Sequence, residues 1–287
     1  MSIIEKAADR LGLNKRDTVR PLAIAAGSPA GEKEKYINIS AAHDADRQIS
    51  KRVEINLSQL HQLGIVTPGE GKTLAAEEFR IIKRPLIKNA LNQYSASGNP
   101  NNLIMVTSAL PGEGKTFSAI NLAMSIAMEM DHTVLLVDAD VARPSILRCL
   151  GLKSEAGLID ILLDDKLDLA DVMLKTNVDT LSILPSGKGH KHATELLASH
   201  AMSSLLEQIA NRYPDRIVIF DSPPLLLTSE ARVLASKMGQ IVLVVEAETT
   251  TQKAVKEALH QIATCANIGL IYNKANSFPG GNYYGYY

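Results

Sequence analysis

Six short apolar runs, most of them separated by helical stretches, constrain the fold of this chain more than any other feature. The runs are rich in β-branched residues and lie at residues 103–107, 134–137, 181–184, 217–220, 241–245 and 268–271. Strands that alternate with helices form βαβ units, and near-continuous apolar strands are buried on both faces of a sheet. The sequence therefore predicts an α/β fold, with a mostly parallel central β-sheet and helices on both of its faces.

A glycine-rich loop follows the first of these runs and precedes a predicted helix at residues 117–130. It reads Ala109-Leu110-Pro111-Gly112-Glu113-Gly114-Lys115-Thr116, then Phe117. The glycines let the backbone turn its N–H groups toward phosphate oxygens, and the helix N-terminus adds a positive dipole end. Lys115 can reach the β- and γ-phosphates, and Thr116 offers a hydroxyl to Mg²⁺. Strand, loop and helix together predict a Walker A nucleotide site, with Ala109 in place of the usual first glycine.

Part of this loop occurs twice in the chain. Pro68-Gly69-Glu70-Gly71-Lys72-Thr73 repeats residues 111–116 letter for letter. The apolar run before the first copy, residues 63–66, is broken by glycine, and no strand ending in acidic residues follows its predicted helix at 74–91. Because a phosphate loop joins a strand to a helix, we interpret the first copy as a decoy. The alternative is that Lys72, not Lys115, binds the phosphates.

Acidic residues terminate two of the predicted strands. Asp138 and Asp140 follow the run at 134–137, and Asp221 follows the run at 217–220. In a parallel sheet the carboxyl ends of the strands share one edge, on which the phosphate loop also lies. Mg²⁺ usually takes one or two carboxylates, so at least one of the three is available for another role, such as base catalysis. The alternative is that Asp138 merely caps a helix or turn.

These motifs resemble those of the bacterial tyrosine kinases of exopolysaccharide synthesis, within the P-loop class that includes the partition and division-site ATPases. The resemblance covers about residues 60–287 and is closest to the free-standing cytoplasmic kinases of exosortase-type polysaccharide clusters. It implies ATP and Mg²⁺ as cofactors, and Lys115 as the residue that holds the phosphates. It also implies that Asp138 is the base for the tyrosine proton, and that the metal site comprises Thr116, Asp138, Asp140 and Asp221.

A family helix with the pattern Glu-x-x-Arg-x-x-Arg, used in ring assembly, is matched by Glu77, Arg80 and Lys83. Lysine replaces the last arginine of that pattern and cannot make the same bidentate fork. The resemblance implies that these three residues take part in oligomerisation. The alternative is a solvated helix face with i,i+3 ion pairs.

Two further positions follow the family pattern incompletely. The family has an arginine two residues after the second aspartate, whereas Arg143 stands three residues after Asp140. Which basic residue supports the phosphates is therefore left open. Asn273, just after the last predicted strand, resembles the purine-side segment of the family and is expected to contact adenine. The alternative is an ordinary turn residue.

Tyrosine is concentrated at the C-terminus. The chain has 8 Tyr and no Trp, and half of the tyrosines are Tyr283, Tyr284, Tyr286 and Tyr287. Residues 275–287 carry no charged side chain, so we expect neither a stable helix nor a core there. If the last strand is parallel, the tail begins at the sheet edge that carries the phosphate loop. Fully extended, it would span roughly 36–54 Å, which is enough to reach a neighbouring subunit. We interpret the four tyrosines as phosphoacceptors; the alternative is an aromatic but disordered terminus.

Composition limits the remaining possibilities. The 287 residues carry a net charge of −1, and no run approaches 18 apolar residues. We therefore expect a cytoplasmic protein without a membrane span or a nucleic-acid partner. The resemblance implies, in addition, that a membrane-bound polysaccharide chain-length regulator recruits and activates the protein, and that it assembles into a ring-like homo-oligomer. The predicted divisions are an N-terminal helix and flexible linker at 1–60, a P-loop kinase domain at 61–274 and a tyrosine-rich tail at 275–287.

Two other functions fit parts of the sequence. A partition- or division-type ATPase switch would resemble this chain, but those relatives carry an additional lysine near the start of the loop. Residues 108–114 contain none, and the tail lacks the basic amphipathic helix of the division-site type. A non-catalytic, nucleotide-sensing regulator would keep the ATP site and lack the phosphotransfer. The main hypothesis remains a tyrosine autokinase acting between subunits.

Overall fold

The computed structural model describes residues 51–69, 73–154, 156–213 and 215–275. The predicted N-terminal helix, Lys72 and the four tail tyrosines lie outside these ranges. Eight strands occur in the described residues: β1 Lys51–Arg52, β2 Leu103–Ser108, β3 Thr133–Asp138, β4 Leu174–Lys175, β5 Leu181–Leu184, β6 Arg216–Asp221, β7 Gln240–Glu246 and β8 Asn267–Asn273. All six predicted strands are therefore present, each to within two residues at either end.

Ten helices accompany the strands in the same residues. They are α1 Leu57–Gln62, α2 Leu74–Ala90, α3 Lys115–Ala127, α4 Ile146–Cys149, α5 Leu158–Leu163, α6 Leu169–Val172, α7 Ala193–Ala198, α8 His200–Arg212, α9 Ser229–Ala235 and α10 Gln252–Gln261. Hydroxyl side chains begin several of them, since Thr73, Ser199 and Thr251 each accept a backbone N–H from the first turn. Such caps satisfy amides that have no partner within a helix.

The strands form one sheet in the order β1-β4-β5-β3-β6-β2-β7-β8. Every neighbouring pair is parallel except β4 with β5. The predicted α/β class with a mostly parallel sheet is confirmed. Because β2, β3, β6, β7 and β8 run in the same direction, their carboxyl ends share one edge.

Both faces of the sheet are covered by apolar packing. Successive side chains of β2 point to opposite faces: Leu103 and Met105 belong to one buried cluster, and Ile104 and Val106 to the other. This alternation follows from the period of two in an extended strand. Helix α3, which carries the small residues Ala119 and Ala123, is buried along most of its length in the second cluster. Small side chains let this helix approach the centre of the sheet, which fixes the position of the loop before it.

Residues before the predicted domain boundary at 61 take part in the described fold. Lys51 and Arg52 pair with β4, and Ile55 and Leu60 are buried. Sheet pairing thus occurs ten residues before that boundary, which stays a prediction. Strands β1 and β4 contain two residues each, which is too short for a hydrophobic pattern to reveal. Within the described ranges, no helix has both the length and the apolar character needed to cross a bilayer.

Candidate active site

The loop between β2 and α3 has the geometry of a phosphate loop. Gly112 and Gly114 adopt φ angles of +86° and +96°, in the left-handed region that favours glycine. Gly114 is the N-cap of α3, so Lys115 and Thr116 form the first turn of a long, buried helix. The predicted loop residues Pro111 and Phe117 are exposed, whereas Glu113 is buried. The positive end of the α3 dipole therefore faces the loop.

The three predicted aspartates converge on this loop. Asp138 and Asp221 end β3 and β6 as register neighbours and are 1% and 0% exposed. The Nζ atom of Lys115 lies 2.7 Å from Asp140 Oδ2 and 3.6 Å from Asp221 Oδ1. The Thr116 hydroxyl donates to Asp221 Oδ2 at 2.7 Å. The structure thus brings together all five of the predicted catalytic and metal-site residues.

Asp138 has one occupied and one unpartnered oxygen. Its Oδ2 accepts the backbone N–H groups of Ser145 and Ile146, each at 3.0 Å, at the start of α4. Its Oδ1 is buried and accepts no hydrogen bond in the part of the chain that the structure describes. The side chain therefore caps a short helix through Oδ2, as the alternative interpretation held. Its Oδ1 atom remains available to bind a metal ion or to accept a proton. Sequence reasoning missed Ser145, whose hydroxyl lies 3.0 Å from the Thr116 hydroxyl.

Burial and mutual repulsion perturb the charges of the site. Burial, reinforced by the neighbouring Asp221, raises the pKa of Asp138 to about 7. Burial also raises the pKa of Asp221 to about 6, and the adjacent Lys115 limits that rise. For Lys115 itself, burial works against the charged form, but the attraction of Asp221 and Asp140 is stronger and the pKa is raised overall. Carboxyls that titrate near neutrality in a cleft are typical of functional sites.

The residues present fit a magnesium ion. Buried oxygens of Asp138 and Asp221 lack hydrogen-bond partners among the described residues, and the Thr116 hydroxyl lies beside them. Mg²⁺ prefers such hard oxygen ligands and keeps several positions for water and phosphate. Asp140 differs from the other two aspartates, since it pairs with Lys115 and accepts the backbone N–H of Arg143 at 3.1 Å. No group of three His, Cys, Asp or Glu in the described ranges forms a metal cage by itself, so the ion would depend on phosphate and water ligands.

Side chains far away in sequence support the outer side of the loop. Glu113 accepts the Leu110 N–H through Oε2 at 2.6 Å and the Thr250 hydroxyl through Oε1. Asn273 Nδ2 donates to the backbone carbonyl of Glu113 at 2.8 Å, so this side chain contacts the loop backbone. The expected adenine contact of Asn273 stays a prediction. The role of Thr250 could not be predicted from the sequence, because no local pattern marks a residue that binds Glu113 from 137 positions away.

The first copy of the repeated hexapeptide has a different setting. Residues 63–66 form no strand, and the Val66 N–H donates to the Asn121 side chain at 2.7 Å. Thr73 caps α2 by accepting the Ala76 N–H at 3.1 Å. Lys72 lies outside the described residues. The absence of a sheet strand before this copy supports its interpretation as a decoy.

The predicted assembly residues divide into two groups. Glu77 and Arg80 form an exposed ion pair with two contacts of 2.6 and 2.8 Å. Lys83 is only 5% exposed; its Nζ donates to the Ser125 carbonyl and lies 2.6 Å from Glu129 Oε1. These contacts within its own chain argue against the predicted place of Lys83 on an oligomer surface. Glu77 and Arg80 remain candidates for that surface.

The site combines a strand, a loop with two left-handed glycines, a lysine on the following helix and acidic strand ends. Together these features define a P-loop nucleotide-binding protein. A family profile described as an AAA domain matches residues 101–274. The tyrosine-protein kinase YwqD of Bacillus subtilis is 31% identical over 228 residues, which cover 79% of this chain and 92% of that protein.

Solved structures show the same relationship. The kinase domain of the Escherichia coli tyrosine kinase ETK superposes with a TM-score of 0.62 at 27% identity, covering 80% of this chain and 98% of that one. The kinase domain of VpsO gives a TM-score of 0.62 at 29% identity, with 76% and 98% covered. The chain belongs to the bacterial tyrosine-protein kinases, and it is an enzyme of that type.

Proposed function

We propose that this kinase transfers the γ-phosphate of ATP to its own C-terminal tyrosines, Tyr283, Tyr284, Tyr286 and Tyr287, and thereby regulates exopolysaccharide synthesis or export. The observation that carries the proposal is the unpartnered, buried Oδ1 of Asp138 beside Lys115, Thr116 and Asp221. This arrangement offers a phosphate-binding cation, ligands for a hard metal ion and a carboxylate free to accept a proton.

The phosphate side of the site rests on α3 and the loop before it. Lys115 carries the charge that would bind the β- and γ-phosphates, and Asp140 and Asp221 hold its Nζ at the sheet edge. Thr116 and the Oδ1 atom of Asp221 would hold Mg²⁺, which neutralises charge on the transferred phosphoryl group and leaves Asp138 Oδ1 for the proton. Phosphoryl transfer needs positioning and electrostatic stabilisation more than covalent chemistry, and this site supplies both.

Asp138 is suited to accept the proton of the attacking tyrosine. The pKa of a tyrosine hydroxyl is near 10, so the proton must leave as the oxygen attacks phosphorus. With its pKa raised to about 7, Asp138 is a better acceptor than an ordinary carboxylate. The two amides on Oδ2 fix the carboxyl group, so the proton would pass from the tyrosine oxygen to Oδ1.

The direction of the last strand supports the tail as substrate. Strand β8 runs parallel to β7, and β7 runs parallel to β2, so all three end at the edge that carries the loop. The chain continues from this edge at Ala275 toward the tyrosines. Delivery into a neighbouring subunit would require assembly, for which the exposed pair Glu77 and Arg80 is our candidate.

Each added phosphate brings about −1.5 to −2 charges, which an acidic, nucleotide-loaded site repels. Phosphorylation would therefore release the tail and loosen the assembly. A cytoplasmic location, with recruitment and activation by a membrane-bound polysaccharide chain-length regulator, completes the proposal.

Incubation with labelled ATP and Mg²⁺, followed by mapping of phosphotyrosine, tests this function. We expect label on the tail in the wild type and none in the D138N variant. For transfer between subunits, D138N serves as acceptor and a variant with all four tail tyrosines changed to Phe serves as enzyme. Label on the D138N tail in this mixture supports transfer in trans. Released phosphate without labelled tyrosine, even with a chain-length regulator present, would instead indicate an ATPase switch.

A further inference from the structure

The last residue of β8 and the residue that follows it donate hydrogen bonds to the phosphate loop. Asn273 Nδ2 donates to the Glu113 carbonyl and Lys274 Nζ donates to the Gly112 carbonyl, each at 2.8 Å. The Lys274 ammonium is also 3.1 Å from Glu246 Oε2, at the end of the neighbouring strand β7. We call these two donors and Glu246 the loop clamp. It joins the last residues of β7 and β8 to two successive peptide groups of the loop.

The backbone shows that the clamp is a close and specific fit. A Cβ atom added to Gly114 would lie 2.1 Å from Asn273 Nδ2, so only glycine leaves room for the amide. Lys274 adopts a φ of +59°, which is uncommon for a residue with a side chain and persists only where surrounding contacts hold it. Its contacts with Gly112 and Glu246 are such restraints.

The chemistry of a phosphate loop explains why donors are needed on this side. A loop that turns its N–H groups inward toward an anion turns its carbonyl groups outward. The Glu113 carbonyl lies in partly buried surroundings, where a missing partner costs free energy, whereas the exposed Gly112 carbonyl gains a charge-assisted hydrogen bond from Lys274. Donors at two consecutive carbonyls therefore favour the anion-binding shape of the loop over alternatives that rotate these peptide groups.

We propose that Asn273 and Lys274 are positioning residues of the nucleotide site, which raise its affinity for the polyphosphate group by fixing the loop and do not read the base. The proposal requires only nucleotide binding. It can therefore fail while tail phosphorylation holds, or hold while tail phosphorylation fails. It differs from the expected adenine contact of Asn273 in one measurable respect, since a base contact acts only on ligands that carry adenine.

Equilibrium titration with a fluorescent ATP analogue and Mg²⁺, with tripolyphosphate as competitor, separates these roles. The variants are N273L and K274M, each of which removes a single donor. We expect each to weaken ATP and tripolyphosphate binding by the same factor, about 5- to 10-fold for one hydrogen bond. K274R, which keeps a cationic donor, should recover most of the affinity. K256M, at an exposed lysine of α10, is the matched control for the lost charge and should bind as the wild type does.

Two results would overturn the proposal. One is a loss of ATP affinity in N273L with unchanged tripolyphosphate affinity, which would assign Asn273 to the base. The other is wild-type affinity for both ligands in K274M. Because the Lys274 side chain is half exposed, K274M should fold normally, and an unchanged melting temperature checks this. Hydrogen exchange of the loop amides gives a second measurement, with faster exchange expected in K274M than in K256M.

Discussion

Lys115 Nζ donates to Asp140 Oδ2 at 2.7 Å, so the lysine expected to bind phosphate is also the partner of a nearly buried carboxylate. A nucleotide phosphate must compete with that carboxylate for the same ammonium group. Charge-assisted hydrogen bonds of this kind are roughly twice as strong as neutral ones. We therefore expect Asp140 to lower the nucleotide affinity of the metal-free site.

We expect D140N to bind ADP more tightly than the wild type in EDTA, by about tenfold, because the competing charge is gone. The asparagine keeps an oxygen for the Arg143 N–H, which preserves the turn. Titration with a fluorescent ADP analogue measures the change. D164N, at an exposed position, removes the same charge elsewhere and should show wild-type affinity. An equal gain in both variants would point to general electrostatics instead.

The metal-free protein should lose stability as the pH rises through about 7. The folded-state pKa of Asp138 is raised to about 7, so the folded chain binds this proton more tightly than the unfolded chain does. Its stabilising contribution is full below the unfolded pKa of about 3.9 and is lost progressively as the pH rises from there through about 7. Melting temperatures in EDTA at pH 5 and pH 8 should differ in the wild type and differ less in D138N. D179N, at a side chain that is 92% exposed, should retain the wild-type difference.

The two copies of the hexapeptide should respond differently to loss of their lysines. K115M should weaken ATP binding by about 10–100-fold, since hydrogen bonds to a charged group are worth about 1.5–3 kcal/mol. K72M should bind ATP as the wild type does, because no sheet strand precedes that copy. Both are measured by the same nucleotide titration. Loss of binding in K72M alone would move the nucleotide site to the first copy.

Gly114 should be intolerant of even one added carbon. G114A combines a φ of +96° with a contact of 2.1 Å to the Asn273 amide, and we expect a larger loss of nucleotide affinity than in N273L. G98A is the matched control, because Gly98 has a φ of +82° but no neighbour within 4 Å of an added Cβ. It should cost about 1–2 kcal/mol of unfolding free energy and leave nucleotide affinity unchanged. Similar nucleotide affinities in the two variants would contradict the close fit.

Changes at Lys83 and Arg80 should separate stability from assembly. K83M leaves the Glu129 carboxylate and the Ser125 carbonyl without their shared donor, and we expect a loss of about 1–3 kcal/mol in urea unfolding. R80A removes an exposed i,i+3 pair worth about 0.5 kcal/mol or less. Sedimentation velocity should show a smaller oligomer for R80A and the wild-type size for K83M. The reverse result would restore Lys83 to the assembly surface.

The central strands β2, β3 and β6, which the sequence predicted, share a property: their burial is nearly continuous. Strand β2 has six buried residues in a row and is followed by glycines, so the local sequence is enough to predict the strand, the loop and the helix. Strand β4 has two residues and an antiparallel partner, and no local pattern can distinguish it from a turn. The burial of Lys83 could not be predicted, because its long side chain reaches the Ser125 carbonyl on another helix, which is a tertiary contact. The roles of Thr250 and Lys274 could not be predicted from the local sequence either, because they bind the loop from segments more than 130 residues away.

Strand β8 carries the loop clamp at one end and, among the described residues, pairs with β7 alone. Its register runs from Gln240 with Asn267 to Glu246 with Asn273, and the last of these pairs joins residues of the clamp. Tension applied through the C-terminal tail reaches that pair before any other. The phosphate loop and the end of β8 thus depend on the same contacts: a force on the tail should loosen the loop, and a bound nucleotide should stabilise the end of β8.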